Sequence, residues 1–245
     1  GEKGVSIGSN NDFAPGVQVS MADLGDFEER NNNRGVEAAL HERSLQLTLP
    51  ELIAPTIASM RAGMSDLPDW ITSRQVVNRL PNRPVSGTLY VVRGDAEIRS
   101  NRSLAQVAIV AEGAIGIGAN TDLIDVILAA EEGIAFGSNI TIGVGEGSFC
   151  EFGEYRAYLF SGGDVTLGSN LQLAATQITA LGRLEMNANI DQLPGVYAEI
   201  VGGIDYNSNL DFWGCETPLT SLWPASTLPR PQAEAGAVLG ARILR

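Results

Sequence analysis

Histidine, lysine and cysteine are almost missing from this chain of 245 residues, which has one histidine, one lysine and two cysteines. A Ser-His-Asp or Cys-His nucleophile system would have to use His41, and a P-loop or Schiff base would have to use Lys3. Zinc sites built from several cysteines and histidines cannot form within one copy of the chain. We therefore expect a protein that is not an enzyme and that has no catalytic, metal-binding or cofactor-binding residues.

Positive charge is also scarce, with 16 lysines and arginines against 29 aspartates and glutamates and a net charge of -13 at pH 7. This balance argues against nucleic acid and anionic membranes as partners. No apolar run approaches the roughly 18 residues that span a bilayer, so we expect no membrane segment in this chain. The patterned start at Gly1 predicts a mature or excised portion of a longer protein, and whether a membrane anchor has been removed stays open.

A couplet of a small residue and asparagine recurs along the chain. Its asparagines are Asn10, Asn101, Asn120, Asn139, Asn170, Asn189 and Asn209. From Asn101 onward the intervals are 19, 19, 31, 19 and 20 residues. Between couplets the apolar residues step by two, as in Val107, Ile109 and Ala111, which is typical of short β-strands.

This repeat predicts a mainly β fold, a single-stranded parallel β-helix (β-solenoid) of about six coils with about 19 residues per coil. Successive coils would stack about 4.8 Å apart, with alternate side chains filling an axial core. Asparagine tolerates the left-handed conformation of a sharp corner, and stacked amides can bond to one another. The seven asparagines are thus predicted to form a structural corner ladder. Right-handed coils are expected, since parallel crossovers are right-handed.

The pattern divides the chain into four segments. They are the first solenoid strands (1–21), a mostly helical insertion or cap (22–86), the solenoid coils (87–215) and a Pro-rich extended C-terminal tail (216–245). Within the insertion, Val36–Leu40 and Leu52–Met64 are predicted to be helical. We expect the insertion to cover an open end or one flank of the solenoid.

The two cysteines, Cys150 and Cys215, lie in aromatic-rich segments. They fit either one disulfide or two free thiols, and the aromatic surroundings favour the disulfide and an oxidising compartment. Two to three coils separate them, or about 10–14 Å along the axis, whereas a disulfide needs Cα atoms within about 7 Å. The bond therefore requires an excursion at residues 143–155, which accounts for the 31-residue interval, to bend toward the C-terminal end.

The outward positions next to the corners offer little chemistry. They hold mixed residues, namely Arg93, Glu112 and Glu131 in one column and Asp95, Ala114, Gly133, Asp164 and Arg183 in another. We find no column of two or three adjacent carboxylates, as calcium binding or paired acid–base catalysis would need, and expect solvated faces. Trp70, Trp213 and Trp223 are expected to pack insertions onto the solenoid, although tryptophan also binds sugars and proteins.

The run from Val5 to Met21, the repeated coils and the positions of the cysteines resemble the exported portion of TadE/TadG-like proteins of tight-adherence (Flp) pili. The resemblance spans residue 1 to about residue 215. It implies an envelope-anchored protein that helps to assemble or decorate an adhesive pilus, with other envelope or pilus proteins as partners. It also implies a periplasmic or extracellular location, and the family supplies no catalytic residues. This chain departs from the family in having no membrane helix and no pilin-type processing site.

The sequence therefore favours a non-enzymatic structural or assembly protein of the bacterial cell envelope or surface. Two alternatives stay open. A carbohydrate-binding or polysaccharide-lyase-like β-helix would show stacked aromatics and acids along one face. A polymerising, bactofilin-like scaffold would need at least one uncovered end coil, and its partner would be a second copy of itself.

Overall fold

A computed structural model describes residues 4–14, 17–21, 27–42, 67–145, 155–213 and 239–243 as a parallel β-solenoid. Residues in equivalent slots of the central coils are 19 positions apart, as Leu104 and Leu123 are. The stack is eight rungs high on one face, more than the six coils expected, because segments at the start of the chain add rungs of their own. The prediction of a parallel β-solenoid with coils of about 19 residues is confirmed.

The strands of each coil lie on three faces. The first face consists, in spatial order, of β8 (Ala96–Ile98), β10 (Ala114–Ile117), β12 (Gly133–Phe136), β15 (Asp164–Leu167), β18 (Leu184–Met186), β21 (Ile204–Tyr206), β1 (Val5–Ile7) and β4 (Phe27–Glu29). The second face consists of the first halves of β9 (Arg102–Ala111) and β11 (Thr121–Ala130), then β13 (Ile140–Ile142), β16 (Leu171–Leu173), β19 (Ile190–Gln192), β22 (Leu210–Phe212) and β2 (Asp12–Phe13). The third face consists of β6 (Ser73–Val77), β7 (Thr88–Val92), the second halves of β9 and β11, β14 (Ala157–Ser161), β17 (Thr176–Ala180), β20 (Tyr197–Ile200), β23 (Leu239–Ile243), β3 (Val17–Met21) and β5 (Leu40–Glu42).

The axial core lies between the three faces. Short strands on the first two faces alternate one buried, one outward and one buried residue, as in β18 and β22. This alternation follows from the two-residue period of a strand. Each coil thus buries only a few apolar side chains, and a lone coil could not offset the entropy lost on ordering its backbone. The coils are stable because they share one core.

Asparagine occupies the corner between the first and second faces. All seven asparagines of the predicted ladder have φ between 55° and 61°. Six of them, from Asn101 to Asn209, are joined by side-chain bonds of 3.0–3.2 Å in which each Nδ2 donates to the Oδ1 of the preceding asparagine. Asn10 has the same backbone conformation at the same corner. The backbone N–H of Asn209 donates to the carbonyl of its neighbour Ser9 at 3.2 Å.

Replacing Asn139 in the middle of the ladder by alanine is expected to lower the free energy of unfolding by about 2–3 kcal/mol. The change removes two amide bonds and places alanine at φ 58°, where it is strained. Asn139→Gly also loses the amides but adopts this φ freely, so its loss should be about 1 kcal/mol smaller. Urea unfolding followed by circular dichroism measures both. Equal losses of unfolding free energy in the two variants would show that the left-handed conformation of the corner does not add to the cost of the alanine substitution.

The expected mostly helical insertion at residues 22–86 is not supported by the described residues. There the segment forms the strands β4, β5 and β6, and α1 (Val36–Ala39) is a single turn. Val36 is buried in the core and Phe27 packs against it. An isolated short helix is marginal, so burial and pairing at the end of the solenoid decide the local structure. The predicted helix Leu52–Met64 lies outside the described residues.

The 31-residue interval is accommodated at the corner between the second and third faces. β13 ends at Ile142 and β14 begins at Ala157, which brackets the predicted excursion at residues 143–155. Arg156, directly before β14, binds the chain to β11 of the preceding coil, because its Nε and Nη2 donate to the Asp125 carboxylate at 2.8 and 3.0 Å. Cys150 and Cys215 both lie outside the described residues, so the disulfide stays a prediction.

The C-terminal tail contributes a strand to the solenoid. Within residues 216–245, predicted to be extended, the structure describes β23, which pairs in parallel with β20 on one side and β3 on the other. The third face therefore contains neighbouring strands from the C-terminal and the N-terminal parts of the chain, β23 and β3.

Candidate functional site

Three aspartates stack on consecutive rungs of the second face. Asp191 is the register partner of Asp211, and Asp211 is the register partner of Asp12. Adjacent parallel strands are about 4.8 Å apart, so the three carboxylates form a row along the axis. Asp12 and Asp211 are exposed and Asp191 is half-buried. The expectation that no outward column holds adjacent carboxylates was wrong.

Polar side chains flank this aspartate row at both of its ends. Gln172 Nε2 donates to Asp191 Oδ2 at 3.5 Å, and the guanidinium of Arg34 lies 3.9 Å from Asp12 Oδ2. Among the residues that the structure describes, no group of three or more histidine, cysteine, aspartate or glutamate side chains is arranged to hold a metal ion. The chemistry that the row offers is that of exposed carboxylates, which accept hydrogen bonds from hydroxyl groups and attract cations.

Trp213 is exposed beside the aspartate row. It directly follows β22, its backbone N–H donates to the Gln192 carbonyl at 2.8 Å, and 54% of its surface is accessible. The expectation that the tryptophans pack insertions onto the solenoid is wrong for Trp213, whereas Trp70 does pack, against the outer side of the third face. Trp223 lies outside the described residues.

The outward carboxylates next to the corners serve the fold. Asp95 Oδ1 accepts the N–H of Ala114 at 2.9 Å, and Asp164 Oδ1 accepts the N–H of Arg183 at 2.7 Å. Each therefore ties its own coil to the next one. Arg183 also donates from Nη2 to Asp205 at 2.6 Å, on the first face.

The outer side of the third face is buried as well. Strands β7, β9, β11 and β14 present there eight residues of a second apolar cluster, each at most 4% exposed: Leu89, Val91, Ala108, Val110, Ile127, Ala129, Tyr158 and Phe160. Farther along the axis the outward residues become polar yet stay buried. There the Tyr197 hydroxyl donates to Glu199 Oε1 at 2.5 Å. From β7 to β20 the third face is thus an internal layer, whereas β6 at its end and the first two faces carry solvent-exposed side chains.

Tyr206 adds a pH-dependent element to the end of the core. Its ring meets those of Phe13 and Phe212 edge-on, and burial raises the pKa of its hydroxyl above the usual value of about 10. The unfolded chain loses this proton at a lower pH than the folded protein does. Stability is therefore unaffected at neutral pH and falls as the pH rises above about 10.

We expect the free energy of unfolding of the native chain to fall above pH 10 by about 1.4 kcal/mol per pH unit more steeply than that of Tyr206→Phe. Phenylalanine keeps the ring contacts and has no proton to lose. Urea unfolding of both proteins between pH 8.5 and 11.5 measures the difference. Parallel pH profiles would contradict the assignment to Tyr206.

No helix among the described residues is long and apolar enough to cross a membrane. Residues 86–216 match a family model described as Domain of unknown function (DUF7867). No curated protein and no solved structure matches the chain.

Proposed function

Because the match to DUF7867 covers more than half of the chain, the protein belongs to that family, and we propose that it is a non-enzymatic structural component of an assembly at the bacterial cell envelope or surface. The observation that carries this proposal is the unbroken stacking of the coils. The strands of the first face pair from rung to rung over seven spacings, or about 34 Å, and the asparagine amides are bonded to one another over five spacings.

Such a stack supports a role in holding other molecules at fixed distances. Each coil contacts only its neighbours, so the rod is built by repetition and offers long, regular faces for partners. The resemblance to TadE/TadG-like proteins adds the more specific part of the proposal. It points to pilus-associated adhesion or assembly, to other envelope or pilus proteins as partners and to a periplasmic or extracellular location. Right-handed coils remain part of this proposal.

Affinity capture of the tagged chain from fractionated source cells, followed by mass spectrometry, tests this function. We expect the chain in the envelope or secreted fraction, together with envelope or pilus components. A Gly168→Ala chain, in which an added Cβ would overlap backbone of the neighbouring coil and is expected to destabilise the solenoid, should recover less of these partners, whereas the matched Gly116→Ala chain should keep them. Recovery with sugar-processing enzymes and without envelope components would contradict the proposal.

The predicted Cys150–Cys215 disulfide gives an independent check of the compartment. Thiol labelling of the unfolded, unreduced protein should modify neither cysteine if the chain matures in an oxidising environment. Labelling of both would contradict the disulfide and remove this support for an oxidising compartment.

Carbohydrate binding is a second candidate, which the aspartate row and Trp213 favour. An exposed indole can stack on a sugar ring while neighbouring carboxylates accept bonds from its hydroxyls. Screening against a glycan array tests this idea. Binding that Trp213→Ala abolishes and Trp213→Phe preserves would support a sugar site, and no binding by the native chain would eliminate it.

A further inference from the structure

The N-terminal coil of the chain stacks on its last coil. β1 pairs with β21, and β2 pairs with β22, in the same register as any two successive coils. On the third face β3 pairs with the C-terminal strand β23. The rungs formed by the first 42 residues therefore continue the solenoid where its C-terminal part stops, although they come first in the chain.

The contact between these two coils is built like the interior of the solenoid. The Phe13 ring stacks on that of Phe212 at a centroid distance of 4.4 Å. Asn11 is 1% exposed, its Nδ2 donates to the Asn207 carbonyl at 3.0 Å and its Oδ1 accepts the N–H of Leu210 at 2.9 Å. The C-terminal coil thus presents a surface that fits one particular occupant, the coil that contains Asn11 and Phe13.

Chain order and stacking order disagree at this point. On the third face β5 and β6 are consecutive in the chain but lie at opposite ends of a row of ten strands. Nine spacings separate them, or about 43 Å. The connecting residues 43–72 have a contour length of about 100 Å, so they can connect strands that are 43 Å apart. The same length is equally compatible with β5 and β6 lying next to each other.

The two ends of the stack differ in charge. Residues 67–102, at the end that begins with β6, contain six arginines and three acidic residues, a net charge of +3: Arg74, Arg79, Arg83, Arg93, Arg99 and Arg102 against Asp69, Asp95 and Glu97. Residues 27–42, at the other end, contain four glutamates and two arginines, a net charge of -2. The basic end also carries two exposed valines, Val76 at 47% and Val85 at 60%.

We propose that the coils formed by β1 to β5 of one copy complete the C-terminal end of a second copy, so that copies join head to tail. β5 and β6 of one chain then become neighbouring rungs. The acidic residues 27–42 of that chain therefore lie against the basic residues 67–102 of the same chain. The contacts between β1 and β21 stay the same but form between chains, as in domain swapping. A contact of this heterologous kind does not close on itself and gives open assemblies.

This inference rests on the proposed structural role for its biological meaning, but its test uses purified protein alone. Asp12 and Asp211 are exposed register partners, so cysteines at both positions can form a disulfide. We replace Cys150 and Cys215 by serine and prepare Asp12→Cys and Asp211→Cys as separate chains and as a double variant. Asp12→Cys with Asp191→Cys is the matched control, because two spacings of about 9.6 Å separate these positions.

After co-refolding and oxidation, the mixed single variants should give a cross-linked species of twice the chain mass. The double variant should give a ladder of three, four and more chains, and the control should give neither. A double variant that stays at the mass of one chain with both thiols consumed, or that stops at two chains, would overturn the proposal.

Light scattering of the unsubstituted chain provides a second measurement that depends on no variant. Its mass should rise with concentration in multiples of 25.9 kDa, and a constant mass of one chain would also overturn the proposal. A monomer that still co-purifies with envelope components would leave the proposed function intact. An assembling protein without such partners would refute the function and keep this inference.

Discussion

Gly168→Ala is expected to lower the free energy of unfolding by about 3 kcal/mol or more. A Cβ at this position would overlap the carbonyl oxygen of Gly137 in the neighbouring coil. The overlapped atom belongs to backbone that is itself bonded to further coils, so relief requires the rungs to move apart. Overpacking that forces side-chain and backbone shifts typically costs about 1–3 kcal/mol and occasionally more, and an overlap with paired backbone belongs at the upper end of this range.

Gly116→Ala is the matched control for this prediction. Gly116 lies in β10, one strand of the same face, and nothing is within 4 Å of its hypothetical Cβ. We expect no loss of stability, because alanine there only restricts the unfolded chain. Urea unfolding of both variants measures the contrast. Similar values for the two would mean that the coils are not packed as closely as the structure describes.

Phe13→Ala should lower the free energy of unfolding by about 3–5 kcal/mol. Phe13 is 4% exposed and packs between the rings of Phe212 and Tyr206. Its removal leaves a cavity between the N-terminal coil and the last coil. Phe13→Leu keeps most of the volume and should cost less than about 1.5 kcal/mol.

This second prediction tests the order of the coils as well as their packing. If the N-terminal coil did not stack on the coil containing Phe212, Phe13 would have no core to fill and its replacement by alanine would change little. Hydrogen exchange of the Phe212 and Trp213 amides gives a local readout. In Phe13→Ala these amides should exchange faster, while those of Leu128 in the middle of the solenoid should not.

The period of the solenoid and its corners could be predicted from the sequence because each rests on a local rule. Alternating apolar residues mark strands whatever surrounds them. Asn120 and its equivalents mark corners because asparagine is one of the few residues that tolerate the left-handed conformation. The positions of these corners needed no knowledge of the rest of the chain.

The order in which the coils stack could not be predicted in the same way. Every coil offers nearly the same slots, so the period shows that Val5 and Ile204 are equivalent but does not show that they are neighbours. Chain order predicts the first strands at the other end of the stack and so separates Asp12 from the aspartate row, whereas Asp191 and Asp211 lie on consecutive coils in either order. Asp12 joins Asp191 and Asp211 only through this rearranged stacking.

The segment after the first coil shows how tertiary contacts override a local pattern. Val36–Leu40 has the composition of a helix, and its first four residues do form one turn. Leu40 then enters β5, which pairs with β3. A helical signal this short is weaker than the hydrogen bonds offered by an adjacent strand.

The asparagine ladder gives the rod an electrical direction. All five side-chain bonds between Asn209 and Asn101 run the same way, with the N–H of each amide pointing toward Asn101. Their dipoles add instead of cancelling, and each bond polarises the next. The positive end of this row lies at the end of the solenoid that carries the arginines, so that side chains and amides reinforce one electric field along the axis. The two ends of the solenoid have coils of the same shape but opposite electrostatic potential. A charged partner is therefore attracted to one end and repelled by the other before any contact forms.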